Sequence, residues 1–415
     1  MTQLPNAWEQ RMTRRTFIGV AGAAGVGLAG IGLGGVELGL FRGGATAAAA
    51  RDRVLIVIEM AGGNDGLTTV VPYGVGSYYD HRKATAIAAD KVLRLDGTYG
   101  LHPALKRIHQ RGVAVIQGVG TGDPDLSHFE MLRRLWAGQS NGNSTSTNGF
   151  FGRLCDEIGE PDAPAVGLSL GVGPTPTLVS ERRLTASLDF QNPAAPLPDD
   201  SDVAAVWKAG YAAMSHPDRV DTIAMLGARK GIMGAIRMED LVGRIPTPGG
   251  SYPKTDLGAQ LQFAARLIAA RAGIRVLHVP VNADFDTHEN HVSKAATNLG
   301  MVDAALGAFW DDLDARRLSS SALVMTTSEF GRRVDDNGSG GLDHGAASVA
   351  LLSGPVNPGF YGAVPSLDKL DGDGNLKASL RFEDYFGTVA EGWFGVPAKS
   401  VLPNSPSVLP GIFRT

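Results

Sequence analysis

The 415-residue chain contains one cysteine, Cys155, so no disulfide can form within it and stability has to come from a packed core. Clustered lysine and arginine are also missing, with or without interleaved aromatics. The 38 basic residues are outnumbered by 42 acidic ones, for a formal net charge of −4. Neutralising a phosphate backbone needs clustered cations, so nucleic acid is set aside as a partner. No internal repeat is visible.

An uncharged Gly/Ala-rich run extends from about Gly19 to Val36. Met12-Thr13-Arg14-Arg15-Thr16-Phe17-Ile18 precedes it, and Ala45-Thr46-Ala47 with further alanines follows. This order predicts a twin-arginine signal peptide over residues 1–50, and so export to the periplasm or beyond through the twin-arginine translocase. The alternative is a membrane anchor. Glycine makes the run only weakly apolar, and the small residues after it suit a cleavage point. Residues 1–50 hold four arginines against two glutamates; with −4 overall, about −6 is left for the remainder. The mature chain, about 365 residues, is mildly acidic and long enough to bury a large core.

That chain opens with Val54-Leu55-Ile56-Val57-Ile58, a continuous β-branched run of the kind buried on both faces of a parallel sheet. A glycine-rich loop, Ala61 to Gly66, follows. Leu101 to Gln110 reads as a helix leading into the strand Val113 to Ile116, and a second helix starts at Ser127 and runs to about Trp136. Further strands are expected at Ile274–Val279, Ala322–Met325 and Val349–Leu352, with a long amphipathic helix over His291–Arg316. Phe382, Phe386, Val389 and Trp393 share one helix face. Strands alternating with helices predict an α/β fold with a mostly parallel central sheet and helices on both faces. Residues 51–415 are expected to form a single domain. Ser140–Asn148 and Asn192–Asp202 read as loops, and the mostly helical stretch near 200–271 as a cap or insert.

Three short polar turns at the ends of apolar runs carry the chemistry: Asp286-Thr287-His288, Ser328-Glu329-Phe330-Gly331-Arg332 and Asp343-His344-Gly345. Open α/β sheets build their sites where the carboxyl ends of strands meet such loops. Asp286 and His288 are candidate metal ligands; the plain alternative has Asp286 or Asn290 capping the following helix. Glu329 is a third candidate ligand, and Arg332 a candidate anion holder. His344 is a fourth ligand, with Asp343 either a ligand or the carboxylate that orients a ring. Asp65 follows the first strand. Ser127 with Glu130 three residues on reads as a capping box. The same hydroxyl, at a helix N-terminus next to His128, is also placed to attack an ester.

Two other motifs compete. Gly167-Leu168-Ser169-Leu170-Gly171 matches a nucleophile elbow and would make the chain a serine esterase, but Pro174 and Pro176 forbid the helix that must follow. Asp371 to Asn375 resembles a calcium loop without its spacing and reads as a turn. His102, His109 and His278 are expected to be structural or surface residues.

Gly62-Gly63-Asn64-Asp65-Gly66-Leu67, Ser127-His128-Phe129, Phe285-Asp286-Thr287-His288, Ser328 to Arg332 and Gly341 to Gly345 occur in that order. Together they resemble a family of twin-arginine-exported bacterial proteins, domain of unknown function 1501, within the alkaline-phosphatase-like superfamily. The resemblance covers essentially the whole mature chain. It implies an alkaline-phosphatase-like fold, Asp65, Asp286, His288 and His344 as metal ligands, and a nucleophile at a helix start, for which Ser127 is the nearest match. Where the superfamily places an Asp-His pair, this chain has Glu329-Phe330. His128 as a substitute ligand, a single metal, or none all stay open.

The expectation is therefore an exported hydrolase of phosphate or sulfate esters. One or two divalent ions, of zinc, manganese or iron, would be held by Asp65, Asp286, His288, Glu329, Asp343 and His344. Ser127, His128 and Arg332 would act on a small anionic ester. A non-catalytic exported binding protein and a serine esterase are the alternatives.

Overall fold

The computed structural model describes residues 52–188 except 143–145, 161–162, 172 and 174; the helix 201–215; and 250–414 except 405. The signal-peptide segment, most of the Asn192–Asp202 loop and residues 216–249 lie outside the described residues.

Nine strands form one sheet: β1 (Val54–Glu59), β5 (Ala114–Gly120), β6 (Gly167–Ser169), β7 (Thr185–Ser187), β8 (Val276–Pro280), β9 (Ala322–Thr327), β10 (Ala347–Ser353), β11 (Gly359–Tyr361) and β12 (Leu380–Arg381). Three two-residue strands, β2 (Val70–Val71), β3 (Leu93–Arg94) and β4 (Gly100–Leu101), pair separately. The main order is β11-β5-β10-β9-β1-β8-β6-β7, with β12 also on β5. In the nine-stranded sheet every pairing is parallel except those of β10, which runs antiparallel to both β5 and β9. No helix lies between β9 and β10. Without a crossover the chain cannot return parallel, so β10 comes back as an antiparallel neighbour and the connection stays at the sheet edge.

Successive side chains of β1 serve opposite faces. Val54, Ile56 and Ile58 join a core with Leu261 and Phe263 of α3 (Asp256–Ala269) and Val302 and Phe309 of α4 (His291–Ala315). Leu55 and Val57 join a second core with Leu135 of α1 (His128–Ala137), Phe150 and Leu154 of α2 (Phe150–Ile158), and Phe386 and Trp393 of α5 (Phe382–Phe394). The unbroken apolar run is thus explained by burial on both sides. Each fully buried Leu, Ile or Phe stabilises the fold by about 1.5–3 kcal/mol.

The helix expected from Leu101 is shorter. Leu101 belongs to β4, and the helix forms only over Lys106–Arg111, because Pro103 cannot continue a helical ladder from the strand. Within the stretch near 200–271, Ser201–Ser215 is helical and α3 packs in the main core on β8 and α4. Asp371 takes the backbone N–H of Asp373 and Asn375 on one carboxylate oxygen, so that segment is an Asx-type turn. No helix among the described residues is long and apolar enough to cross a membrane.

Candidate functional site

The loops after β1, β8 and β9 and the start of α1 converge at one end of the sheet. The loop after β1 is held close by glycine: Gly62 has φ +113, and a Cβ there would stand 2.6 Å from the Asp286 nitrogen. Its N–H donates to Glu329 Oε1 at 2.8 Å. Gly341 leaves similar room, since a Cβ would meet the His288 carbonyl at 2.1 Å. Only glycine lets the backbones approach this closely.

Three imidazoles meet there, each anchored through Nδ1 to an acceptor. His128 Nδ1 lies 2.7 Å from Glu329 Oε1, His288 Nδ1 3.1 Å from Asp343 Oδ1, and His344 Nδ1 2.8 Å from the Leu126 carbonyl. These acceptors assign the proton to Nδ1 and leave the Nε2 lone pairs free. The lone pairs converge on Asp286. His288 Nε2 and His344 Nε2 are each 3.2 Å from its Oδ1, and His128 Nε2 is 3.5 Å from its Oδ2. His128 Nε2 is buried without a hydrogen-bond partner, and His288 Nε2 faces His344 Nε2 at 3.0 Å. Two lone pairs at that distance repel unless a proton or a cation lies between them.

A divalent first-row ion fits this donor set. Ligands about 2.0–2.1 Å from a tetrahedral ion stand about 3.3 Å from each other, close to the separations around Asp286 Oδ1. The donor atoms of His128, Asp286 and His344 all lie within 4.8 Å of one another. Phe330 lies tilted against two of the rings, 4.8 Å from the His128 centroid and 4.5 Å from that of His344, and gives the site an apolar wall.

Local charge tunes these groups. Burial alone would raise the Asp286 carboxyl, but the hydrogen bond and charge of Arg332 bring it down to about 2. The hydrogen bond to Glu329 raises His128 against the opposing effect of burial. Burial lowers His344, which favours its neutral, ligating form. Asp343 is held below the usual carboxylate range, first by its hydrogen bond from Asn337, against a burial effect that alone would raise it, with His288 also lowering it.

Several expected roles change. Asp65 stands outside the cluster: Arg82 Nη1 and Nη2 bind its two oxygens at 2.8 and 2.9 Å in a fully buried pair. Bidentate pairing occupies the carboxylate. Arg332 is 1% exposed and donates to the carbonyls of Gly62, Gly63, Phe285 and Leu342 as well as to Asp286. It ties the loops together from behind and is covered from any ester. Glu329, with no exposed surface, and Asp343 orient rings rather than facing the convergence point. His128, expected beside the nucleophile or as a substitute ligand, lies with Asp286 and His344. The capping box is absent: Ser127 makes no side-chain cap bond, and Glu130 is taken by Arg133 and Arg134. Asn290 begins α4 in the left-handed region at φ 55 without a side-chain cap. Arg82 and the Leu126 carbonyl sit in no sequence motif, so nothing in the sequence marks them.

Ser169 ends β6, yet it is no nucleophile elbow. Among the described residues no α-helix follows it directly, the next element being a 3-10 turn at Pro176–Leu178, and the Leu170 N–H, which an elbow would offer to an oxyanion, donates to the His278 carbonyl. Its hydroxyl lies 3.0 Å from Nδ1 of the buried His278, whose Nε2 is 3.3 Å from Glu59. His102 is buried, and His109 contacts the Arg94 carbonyl at the surface.

No curated protein matches the chain. Among solved structures it is similar to lipoteichoic acid synthase LtaP from Listeria monocytogenes (9% identity, 87% of this chain and 74% of that one covered, TM-score 0.39). It is also similar to the zinc complex of the C-terminal periplasmic domain of EcEptC from Escherichia coli (11%, 88% and 88%, 0.39). A third is an alkaline phosphatase superfamily protein from Vibrio parahaemolyticus (11%, 83% and 67%, 0.39). Residues 110–375, more than half of the sequence, match the family described as "Protein of unknown function (DUF1501)", and the chain belongs to that family.

Proposed function

We propose that the chain is a metal-dependent hydrolase of phosphate or sulfate esters with an alkaline-phosphatase-like fold, exported by the twin-arginine route on the strength of Arg14-Arg15 and the run after it. One observation carries the reading: three imidazole lone pairs, each fixed by a partner on Nδ1, converge on one carboxylate. His128, Asp286, His288 and His344 would hold one divalent ion of zinc, manganese or iron type. Bound there, the ion supplies Lewis-acid polarisation of an ester oxygen. Glu329, Asp343 and the Leu126 carbonyl hold the rings in place. Ser127 sits between Leu126 and His128, both of which hold the site, and its hydroxyl is not spent on capping the helix; we assign it the attack on the ester. Residues 51–415 would form one domain, with the stretch near 200–271 as an insert.

The test is hydrolysis of p-nitrophenyl phosphate and p-nitrophenyl sulfate with zinc or manganese. Turnover abolished by chelation and lowered at least a hundredfold in Ser127→Ala supports the reading. Turnover equal in Ser127→Ala and wild type removes the serine from it. One observation favours a non-catalytic binding protein instead: Asp65 is committed to Arg82, and Arg332 is covered. That reading predicts bound metal with no turnover of either ester.

A further inference from the structure

A second built site lies at the carboxyl ends of β1, β8 and β6. It is a cavity of about 370 Å³, within the range of ligand pockets, lined by Glu59, Trp136, Ser169, Asp256, Gln260 and His278 among others. Trp136 and His128 are eight residues apart on α1, about 12 Å along its axis, so the cavity is separate from the imidazole cluster.

Four of its polar side chains, Glu59, Ser169, Gln260 and His278, are buried. Gln260, 4% exposed, spends its amide nitrogen on the Leu170 carbonyl and leaves Oε1 without a partner. His278, 2% exposed, has Nδ1 on Ser169 and no hydrogen bond at Nε2. Glu59 Oε2 accepts from the Trp136 indole N–H at 2.8 Å and stands 3.3 Å from His278 Nε2. His278 Nε2 has Glu59 beside it, but Gln260 Oε1 has no partner; a buried polar atom left so is costly, and its place in the wall of a cavity points to a ligand that completes it.

The lining selects the ligand's chemistry. Among the described residues it holds no lysine or arginine, so none of them offers an anion a counter-charge. Its two carboxylates are partly engaged, Glu59 by Trp136 and Asp256 by Asn282, which weakens the claim of a bare cation. Mixed hydroxyl, amide and carboxylate groups suit hydroxyls that donate and accept together. The indole and two prolines offer apolar walls to the C–H face of a ring.

We infer that this cavity binds a neutral polyhydroxylated ring, a sugar unit. Glu59 and Gln260 Oε1 accept its hydroxyl protons, and Ser169 and His278 complete the set.

Glucose, galactose, mannose and N-acetylglucosamine, titrated into the full chain and followed by saturation-transfer NMR and tryptophan fluorescence, test it. At least one binds saturably, and Glu59→Gln and Gln260→Ala each weaken it tenfold or more. Glu59→Gln keeps the side chain's shape and serves if Gln260→Ala fails to fold. Absence of saturable binding by all four overturns the inference. So does binding that Glu59→Gln leaves intact, or tighter binding of choline than of any sugar. Metal content and ester turnover do not enter the readout, so the result is independent of the hydrolytic reading.

Discussion

Glu329 has no exposed surface, and it joins the first loop to the site by accepting from the Gly62 N–H and from His128 Nδ1. An outer carboxylate that orients a ligating ring is worth about 10–100-fold in metal affinity. Glu329→Gln is therefore expected to weaken zinc binding by about that factor in a calorimetric titration, with the fold intact; unchanged affinity would contradict the orienting role. Arg82 and Asp65 give the opposite kind of prediction. Arg82→Met leaves a carboxylate buried without its partner, and urea unfolding should show a loss of about 3–5 kcal/mol. A loss below about 1 kcal/mol, the size of an exposed pair, would mean that Asp65 finds water. These two residues mark the limit of sequence reading at this scale. Asp65 and Arg332 carry the right chemistry for the roles expected of them. Their partners, Arg82 seventeen residues away and the carbonyls of Gly62 and Leu342, are fixed only by tertiary structure. The sequence leaves His128 open as a substitute ligand, because the carboxylate that turns its ring lies about 200 residues on.

The elements that present the site were more legible than the site. A continuous β-branched run marked β1, shorter apolar stretches marked β8 and β9, and the spacing Phe382, Phe386, Val389, Trp393 marked α5, because these patterns report burial directly. The direction of β10 was hidden. Its antiparallel course follows from the missing helix between β9 and β10, and that connection carries Glu329, Arg332, Asp343 and His344. Within it, Gly341 presses on the His288 backbone. Gly341→Ala should displace His288 and lower both zinc affinity and melting temperature, whereas the same change at Gly338, where a Cβ meets nothing, should alter neither. Equal behaviour of the two variants would contradict this packing.

Stability of the whole molecule should depend on pH through two buried histidines near the first loop. His102 and His291 are held at about 4, chiefly by burial, against an ordinary value of 6.5. His291 spends its ring nitrogens on Thr68 and Thr287. Between those values the unfolded chain binds protons that the folded chain refuses, so the unfolded state gains as pH falls. Their contribution is complete above about 6.5 and is lost on descending to about 4. The urea midpoint should fall across that window, and a His102→Gln, His291→Gln double variant should flatten the slope; an unchanged slope would assign the effect elsewhere. At this scale the sequence motifs pointed to the family that residues 110–375 match. They could not show how the imidazoles are shared, which needs the three Nδ1 partners in place.

The most direct measurement is elemental analysis of the purified chain beside a His288→Ala, His344→Ala double variant. The account predicts one transition-metal ion per chain in the wild type and loss of it in the variant. A wild type that stays metal-free after incubation with zinc and manganese, or a variant that keeps its ion, would contradict it.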